Sequence, residues 1–386
     1  MAEKTRHLSE KKKRHINRKR LLRLVLIVLL AAAAIVLLLR AFSRRKFGEA
    51  DLIDEVEQSG GVNVEYLRFD DKILRYSRNG AALLKADGKE LWNISYNYEY
   101  PKAKLQGSYG MIADIGGTGA CIFGKDGITA AIQTNQNILN LAVSGKGTAV
   151  LALEDGTTSL LQFYDRSGKK LDISATLEMS LSGFPMDIAL SPDGNGLAVA
   201  AGAYAGGGLA AQIVFYNFSV GKNETNRLVG YFSYENAIFP ELRYMGAGTV
   251  AAVGDDRLVL FDMSTENKPQ VAQEILFDTS LTAVHIGGAY VSVVRPAADG
   301  TGLNLEVYGR SGKKAFAVPI AEVPRYLGDS DDYVIMTSES GLKIWDYKGK
   351  LRFEGLLAQD AQTVFAMGRR TLIQPSGGFL YRYRLR

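Results

Sequence analysis

The chain has 386 residues, 46 Lys and Arg against 41 Asp and Glu, and a single cysteine, Cys121. One cysteine excludes an intrachain disulfide. Residues 1–46 hold fourteen basic and two acidic side chains, net +12, which leaves residues 47–386 at net −7 and argues against a nucleic-acid-binding domain there.

Residues 1–20, MAEKTRHLSEKKKRHINRKR, form a basic tail, and Leu21–Leu39 is an apolar run broken only by Arg23. Nineteen residues make a helix of about 28 Å, close to the hydrocarbon thickness of a bilayer. Arg23 stands two residues in, where its stem reaches the interface. The polar stripe that a helix on a soluble core would carry is missing. The sequence therefore predicts a transmembrane helix over 21–42. Ten basic residues precede or begin the run, and Arg40, Arg44, Arg45 and Lys46 follow it. That asymmetry places the N-terminus in the cytoplasm and the rest outside. A cleaved signal peptide is the rival, with Ala41-Phe42-Ser43 as a marginal site, but the basic leader and the length of the run favour an uncleaved signal-anchor. Topogenic charge and attraction to anionic lipid account for the tail better than nucleic-acid binding does.

Residues 43–61, SRRKFGEADLIDEVEQSGG, read as a juxtamembrane linker, with Leu52, Ile53 and Val56 on one face of a short helix ahead of Gly60-Gly61. From Val62 onward, short β-patterned runs alternate with Gly, Asp and Asn turns. One element recurs: a strand, then Asp or a substitute, then a turn with Gly and basic residues. Its copies include Leu83-Leu84-Lys85-Ala86-Asp87-Gly88-Lys89, Phe163-Tyr164-Asp165-Arg166-Ser167-Gly168-Lys169 and Ile344-Trp345-Asp346-Tyr347-Lys348-Gly349-Lys350. The Asp-equivalent positions 87, 126, 165, 217, 262, 309 and 346 are 37 to 52 residues apart. A period of roughly 40–50 residues holding four short strands is that of a propeller blade. In the third unit Ile138–Val143, Thr148–Leu153, Ser159–Tyr164 and Lys170–Ala175 read as strands a to d, with the Asp-x-x-Gly-Lys element as the c–d turn. Gln362–Arg386 supplies three more strands, and Asn63–Phe69 is the candidate for the outer strand that closes the ring. The fold class is all-β: a β-propeller of eight four-stranded blades over 62–386, with seven as the alternative.

Ala86-Asp87-Gly88-Lys89-Glu90-Leu91-Trp92 resembles the repeat of quinoprotein-like (PQQ-like) propellers, and Asp187-Ile188-Ala189-Leu190-Ser191-Pro192-Asp193-Gly194 resembles the strand and turn of WD40 and TolB-type propellers. The whole layout, over about residues 20–386, is similar to a domain-of-unknown-function family of single-pass bacterial membrane proteins. The resemblance implies fold and location. Because Trp92 is the only tryptophan at the quinoprotein position, it does not imply a bound quinone, and no cofactor is expected.

Few residues suggest chemistry. Of three histidines, His7 and His15 lie in the tail, and His285 falls on an innermost strand where a structural role is the commoner one. Without a second His or a Cys partner outside the tail, neither a zinc site nor a Cys/His nucleophile is predicted. Cys121 sits in an apolar strand-like run and reads as core. Gly116-Gly117-Thr118-Gly119 and Gly206-Gly207-Gly208 read as b–c hairpin loops, since neither precedes Gly-Lys-Ser/Thr. Glu154-Asp155, Asp255-Asp256, Asp329 and Asp331-Asp332 are carboxylates whose convergence a sequence does not reveal. Tyr96, Tyr98 and Tyr100, two apart, are expected along one face of one strand. No catalytic, cofactor-binding or metal-binding residue is assigned. The reading is an extracytoplasmic, membrane-anchored propeller serving as a non-catalytic scaffold for a protein partner in the cell envelope. The alternative is a propeller enzyme or ligand sensor that takes a glycan or small cofactor in the channel.

Overall fold

The computed structural model describes residues 25–31, 46–58, 63–178, 183–205, 208–219, 227–265, 268–359 and 361–386. Residues 25–31 are helical and fall inside the expected span, while the rest of 21–42 lies outside the described residues. Among the described residues no helix is long and apolar enough to cross a membrane. Phe47–Arg386 form a second, separate unit.

That unit is built from the period-two alternation of its strands. Each apolar run is buried on both faces in the middle of a sheet, and the outermost strands alternate buried or half-buried with exposed, as Lys170–Glu178 does. Eight antiparallel four-stranded sheets result, each connected in the up-and-down order a-b-c-d. Blades 1 to 7 span 65–95, 101–133, 138–178, 184–235, 241–276, 283–320 and 326–355. Blade 8 takes Phe365–Ala366, Thr371–Ser376 and Phe379–Leu385 from the C-terminus and Ala50–Glu57 from the N-terminal side. The fold is therefore an eight-bladed propeller, and the third blade has the strands expected of it, with edges shifted by up to three residues.

Two expectations are corrected here. Residues 50–57 are a strand, not a helical linker, paired from Ala50↔Leu385 to Glu57↔Phe379. The β-branched Ile53 and Val56 suit a pleated edge, and the unpaired edge of Phe379–Leu385 supplies the hydrogen-bonding partner that sequence reading lacked. Glu65–Phe69 is then the inner strand a of blade 1 rather than the outer closing strand.

Packing shows that the ring closes. Each buried apolar cluster spans one pair of neighbouring blades, from Leu74, Leu83, Ile112 and Phe123 between blades 1 and 2 to Ile73, Leu84, Phe365 and Ile373 between blades 8 and 1. Among the described residues these clusters fill the seam between every pair of neighbouring blades, so the core is a ring of inter-blade seams.

The recurrent c–d turn has a structural reason beyond its φ. In blade 7, Asp346 Oδ1 accepts the Lys348 and Lys350 N–H groups at 3.0 Å each, and Gly349 sits at φ 77°. A Cβ on Gly349 would stand 2.8 Å from Phe316 Cβ, on the outer strand of blade 6. The glycines of blades 1, 3 and 6 meet the preceding blade the same way, at Val56, Ala130 and Gln273. The repeated motif is thus a seam between blades as well as a turn.

Candidate functional site

The inner strands carry a belt of polar side chains that bond from blade to blade. Lys104 of blade 2 donates to Asp187 Oδ1 of blade 4 at 2.5 Å and to the Ile188 carbonyl at 2.6 Å. Asp187, 7% exposed, accepts the Leu242 N–H of blade 5 on its other oxygen at 2.9 Å, so one carboxylate ties three blades. Asn140 of blade 3 receives Lys102 Nζ at 3.3 Å and donates to the Met186 carbonyl at 2.9 Å. Arg243 of blade 5 donates to the Ile286 carbonyl of blade 6 at 2.6 Å. His285 Nε2 of blade 6 lies 2.9 Å from Asp329 Oδ1 of blade 7, and Arg68 of blade 1 reaches Asp331 at 3.8 Å. A hydrogen-bonding range that crosses three successive blades exists only at the ring's inner edge.

Enclosure shapes the titration of these groups. Glu241 is open to water yet surrounded by blades, and that burial raises its carboxyl pKa, with repulsion from Asp187 adding to it. Burial lowers the Lys102 ammonium, helped by the neighbouring Lys104 charge. For Asp329 burial acts upward, but the His285 hydrogen bond and the charges of His285, Arg243 and Arg68 prevail and hold it below the usual range. The belt thus pairs Lys104 with Asp187 and His285 with Asp329, while burial dominates at Glu241 and Lys102. Among the described residues no group of three or more His, Cys, Asp or Glu could hold a metal ion.

Apart from Asp331, which Arg68 reaches, the other sequence candidates lie away from this belt. Glu154-Asp155 ends strand b of blade 3, Asp255-Asp256 forms the b–c connection of blade 5, and Asp331-Asp332 lies in the a–b turn of blade 7. Gly116–Gly119 is the b–c hairpin expected of it, whereas Gly206-Gly207 falls outside the described residues. Cys121 is 1% exposed, and burial pushes its thiol up to about 12. The tyrosines depart from expectation: residues 96–100 connect blades 1 and 2 rather than forming a strand. Tyr96 and Tyr98 stack with ring centroids 4.1 Å apart, while Tyr100 is 60% exposed with Arg78 5.6 Å from its ring.

The sequence reading missed Arg68, Lys102, Lys104, Asn140, Asp187, Glu241 and Arg243. The available signal was a polar residue within an innermost strand, as in Asp187-Ile188-Ala189-Leu190.

The two faces of the ring differ. Large exposed apolar residues outside the outer strands are Tyr100, Phe184, Tyr204, Leu209, Val323 and Leu356, all at b–c or d–a connections or the strand ends beside them. Among the described residues the a–b and c–d turns of the opposite face carry none, although Leu91, Leu228 and Val271 are exposed at the strand ends that follow three c–d turns. The apolar face also opens a cavity of about 450 Å³ lined by Tyr66, Tyr326, Gln362 and Thr363.

Closed seams and four-stranded blades define an eight-bladed β-propeller. The chain belongs to the DUF5711 family of unknown function, which it matches over residues 43–376. No curated protein matches it. Among solved structures it is similar to the Dos1 propeller, with TM-score 0.57 and 13% identity over 87% of this chain and 95% of that one. It is also similar to apo AztD from Citrobacter koseri, at TM-score 0.53, 14% identity and 77% and 87% coverage. BamB from Moraxella catarrhalis aligns at TM-score 0.51 and 12% identity over 87% of this chain and all of that one. At these identities the likeness concerns the fold.

Proposed function

We propose that this chain is a single-pass bacterial membrane protein, anchored by Leu21–Leu39 with a cytoplasmic N-terminus, whose extracytoplasmic propeller is a non-catalytic platform for a protein partner of the cell envelope. The carrying observation is the apolar loop set at Tyr100, Phe184, Tyr204, Leu209, Val323 and Leu356, which has no counterpart within the turns of the other face among the described residues. Exposed apolar side chains on the loops of one face of a rigid ring suit a protein interface. Within the inner belt Asp187 is engaged by Lys104 and the Leu242 N–H, and Asp329 by His285, which supports the same reading. The likeness to BamB and to the Dos1 propeller is compatible with a protein-interaction role.

The ligand-sensor alternative draws on the cavity lined by Tyr66 and Tyr326, whose volume is in the range of small-molecule sites. The test is site-specific photocrosslinking in the protein's own cells, with the crosslinker at Tyr204 or Leu356 and, as control, at Arg166 in a c–d turn. A version with a substituted anchor runs in parallel. A defined envelope protein captured at Tyr204 and Leu356 but not at Arg166, and retained after the anchor swap, is the expected outcome. Equal capture at all three positions, or a glycan or small molecule copurifying with no protein adduct, overturns the platform reading.

A further inference from the structure

The apolar face has a counterpart whose charge and chain connection point to a second contact. The N-terminal side of the chain enters the ring at its a–b/c–d face. There the Phe47 N–H donates to the Arg352 carbonyl, and the Gly48 N–H to the Arg386 carbonyl, each at 2.7 Å. Ala50 pairs with Leu385 at the end of strand c, and the strand then runs to the opposite face at Glu57.

Around this entry point the turns of blades 6, 7 and 8 are basic. Residues 310–313 hold Arg310 and Lys313, residues 347–350 hold Lys348 and Lys350, and residues 367–370 hold Arg369 and Arg370. All six side chains are exposed. Of the acids nearby, Asp332 is engaged by Arg369 at 3.2 Å, Asp331 by Arg68 at 3.8 Å and Asp346 by Arg352 at 2.7 Å, while Glu49 is exposed at the entry point. Arg310 spends its hydrogen bonds on the Gly288 carbonyl, at 3.1 and 2.6 Å, which leaves its charge uncompensated there. The opposite ends of the same blades carry Asp299, Glu322 and Glu339 against Arg325. A unit that is net −7 therefore gathers positive charge on the face where its own chain arrives.

We infer that this face, at blades 6 to 8, docks on the anionic phospholipid headgroups of the bilayer that holds the anchor. The inference rests on the anchored reading above. Residues 40–46 precede the entry point in the chain and extend by at most about 25 Å. Each Lys or Arg brought to an anionic surface strengthens the association by about five-fold, and the attraction fades within about 8 Å at physiological salt. Docking this way turns Tyr204 and Leu356 away from the bilayer, toward the envelope.

The experiment uses the full chain reconstituted into vesicles carrying headgroup quenchers, made either of phosphatidylcholine alone or with about one third phosphatidylglycerol. A fluorophore is placed through Ser311→Cys in the c–d turn of blade 6 or through Thr301→Cys in its b–c loop. These sites flank the seven residues Leu303–Gly309, roughly 23 Å of strand, and the buried Cys121 does not label. The expected result is strong quenching at Ser311→Cys in the anionic vesicles only, lost at high salt or in an R310E/K313E/K348E/K350E variant, and little quenching at Thr301→Cys in either. Quenching at Ser311→Cys that is absent, equal in the two lipids, or no greater than at Thr301→Cys overturns the docking, provided the chain stays with the vesicles in alkaline carbonate. Release by carbonate overturns the anchored reading instead, and with it this inference.

Discussion

The glycine of the c–d turn offers a sharp test of how the ring is assembled. Gly349→Ala and Gly368→Ala place the same methyl on backbones with nearly the same φ, 77° and 75°. At Gly368, in the a–b turn of blade 8, a Cβ meets nothing within 4 Å. At Gly349 it lands 2.8 Å from Phe316 Cβ and 3.0 Å from Cγ, in the seam between blades 6 and 7, where Phe316 is 9% exposed and has little room to yield. Both variants bear the left-handed cost of about 1–2 kcal/mol, offset by about 0.4–1 kcal/mol from a stiffer unfolded chain. Only Gly349→Ala adds an overpacking cost of about 1–3 kcal/mol. Urea unfolding followed by tryptophan fluorescence measures the difference, since Trp345, 5% exposed, lies in the same seam. Gly368→Ala is expected within about 1.5 kcal/mol of the parent, and Gly349→Ala about 1–3 kcal/mol below that, at unchanged m-value. Equal losses would refute the claim that the repeated glycine is a seam contact, and leave it a turn residue only.

Three further outcomes follow from the same structure. Glu306, 3% exposed, is held by Arg295 at 3.0 Å, Lys314 at 2.8 Å and the Tyr308 hydroxyl; burial acts to raise its pKa, but these partners prevail and lower it. A lowered folded-state pKa gives stability that is present above the unfolded value near 4.3 and lost as pH falls through the folded one, so Glu306→Gln should cost about 3 kcal/mol at pH 7 in urea titrations. That deficit should shrink steadily in the same titrations below about pH 4. A chain beginning at residue 47 should give a soluble ring, whereas one beginning at residue 62 lacks Ala50–Glu57, exposes the edge of Phe379–Leu385 and uncovers the cluster around Tyr381 and Tyr383, at about 2 kcal/mol for each large side chain exposed. Size-exclusion chromatography should show aggregation of the shorter form alone. Cys121 should react with a maleimide at pH 8 only after denaturant is added, because burial both blocks the thiol and raises its pKa.

Much of the fold was legible because propeller repeats are local. A blade is four consecutive strands, so period-two alternation and the Asp-x-x-Gly-Lys turns reveal it without reference to distant residues. The blade at 138–178 came out nearly strand for strand. The polar belt was not legible, since Asp187, Glu241 and Arg243 look like ordinary charges until strands a are known to face one another. The stack of Tyr96 on Tyr98 escaped for a related reason: alternate spacing in a connection has no sheet to assign it a face.

By itself the sequence determined the blade repeat, which left eight blades or seven, the turn chemistry, the apolar run at Leu21–Leu39 and the split between a basic leader and an acidic remainder. Those depend on composition and on contacts a few residues apart. Tertiary structure alone decided that Ala50–Glu57 closes the ring, because pairing residue 50 with residue 385 is a choice among open edges that no local pattern encodes. It also decided which charges meet across the inner edge and which turns share a face. Both follow from closing the eight sheets into a circle, which brings together residues as far apart in sequence as Arg68 and Asp331.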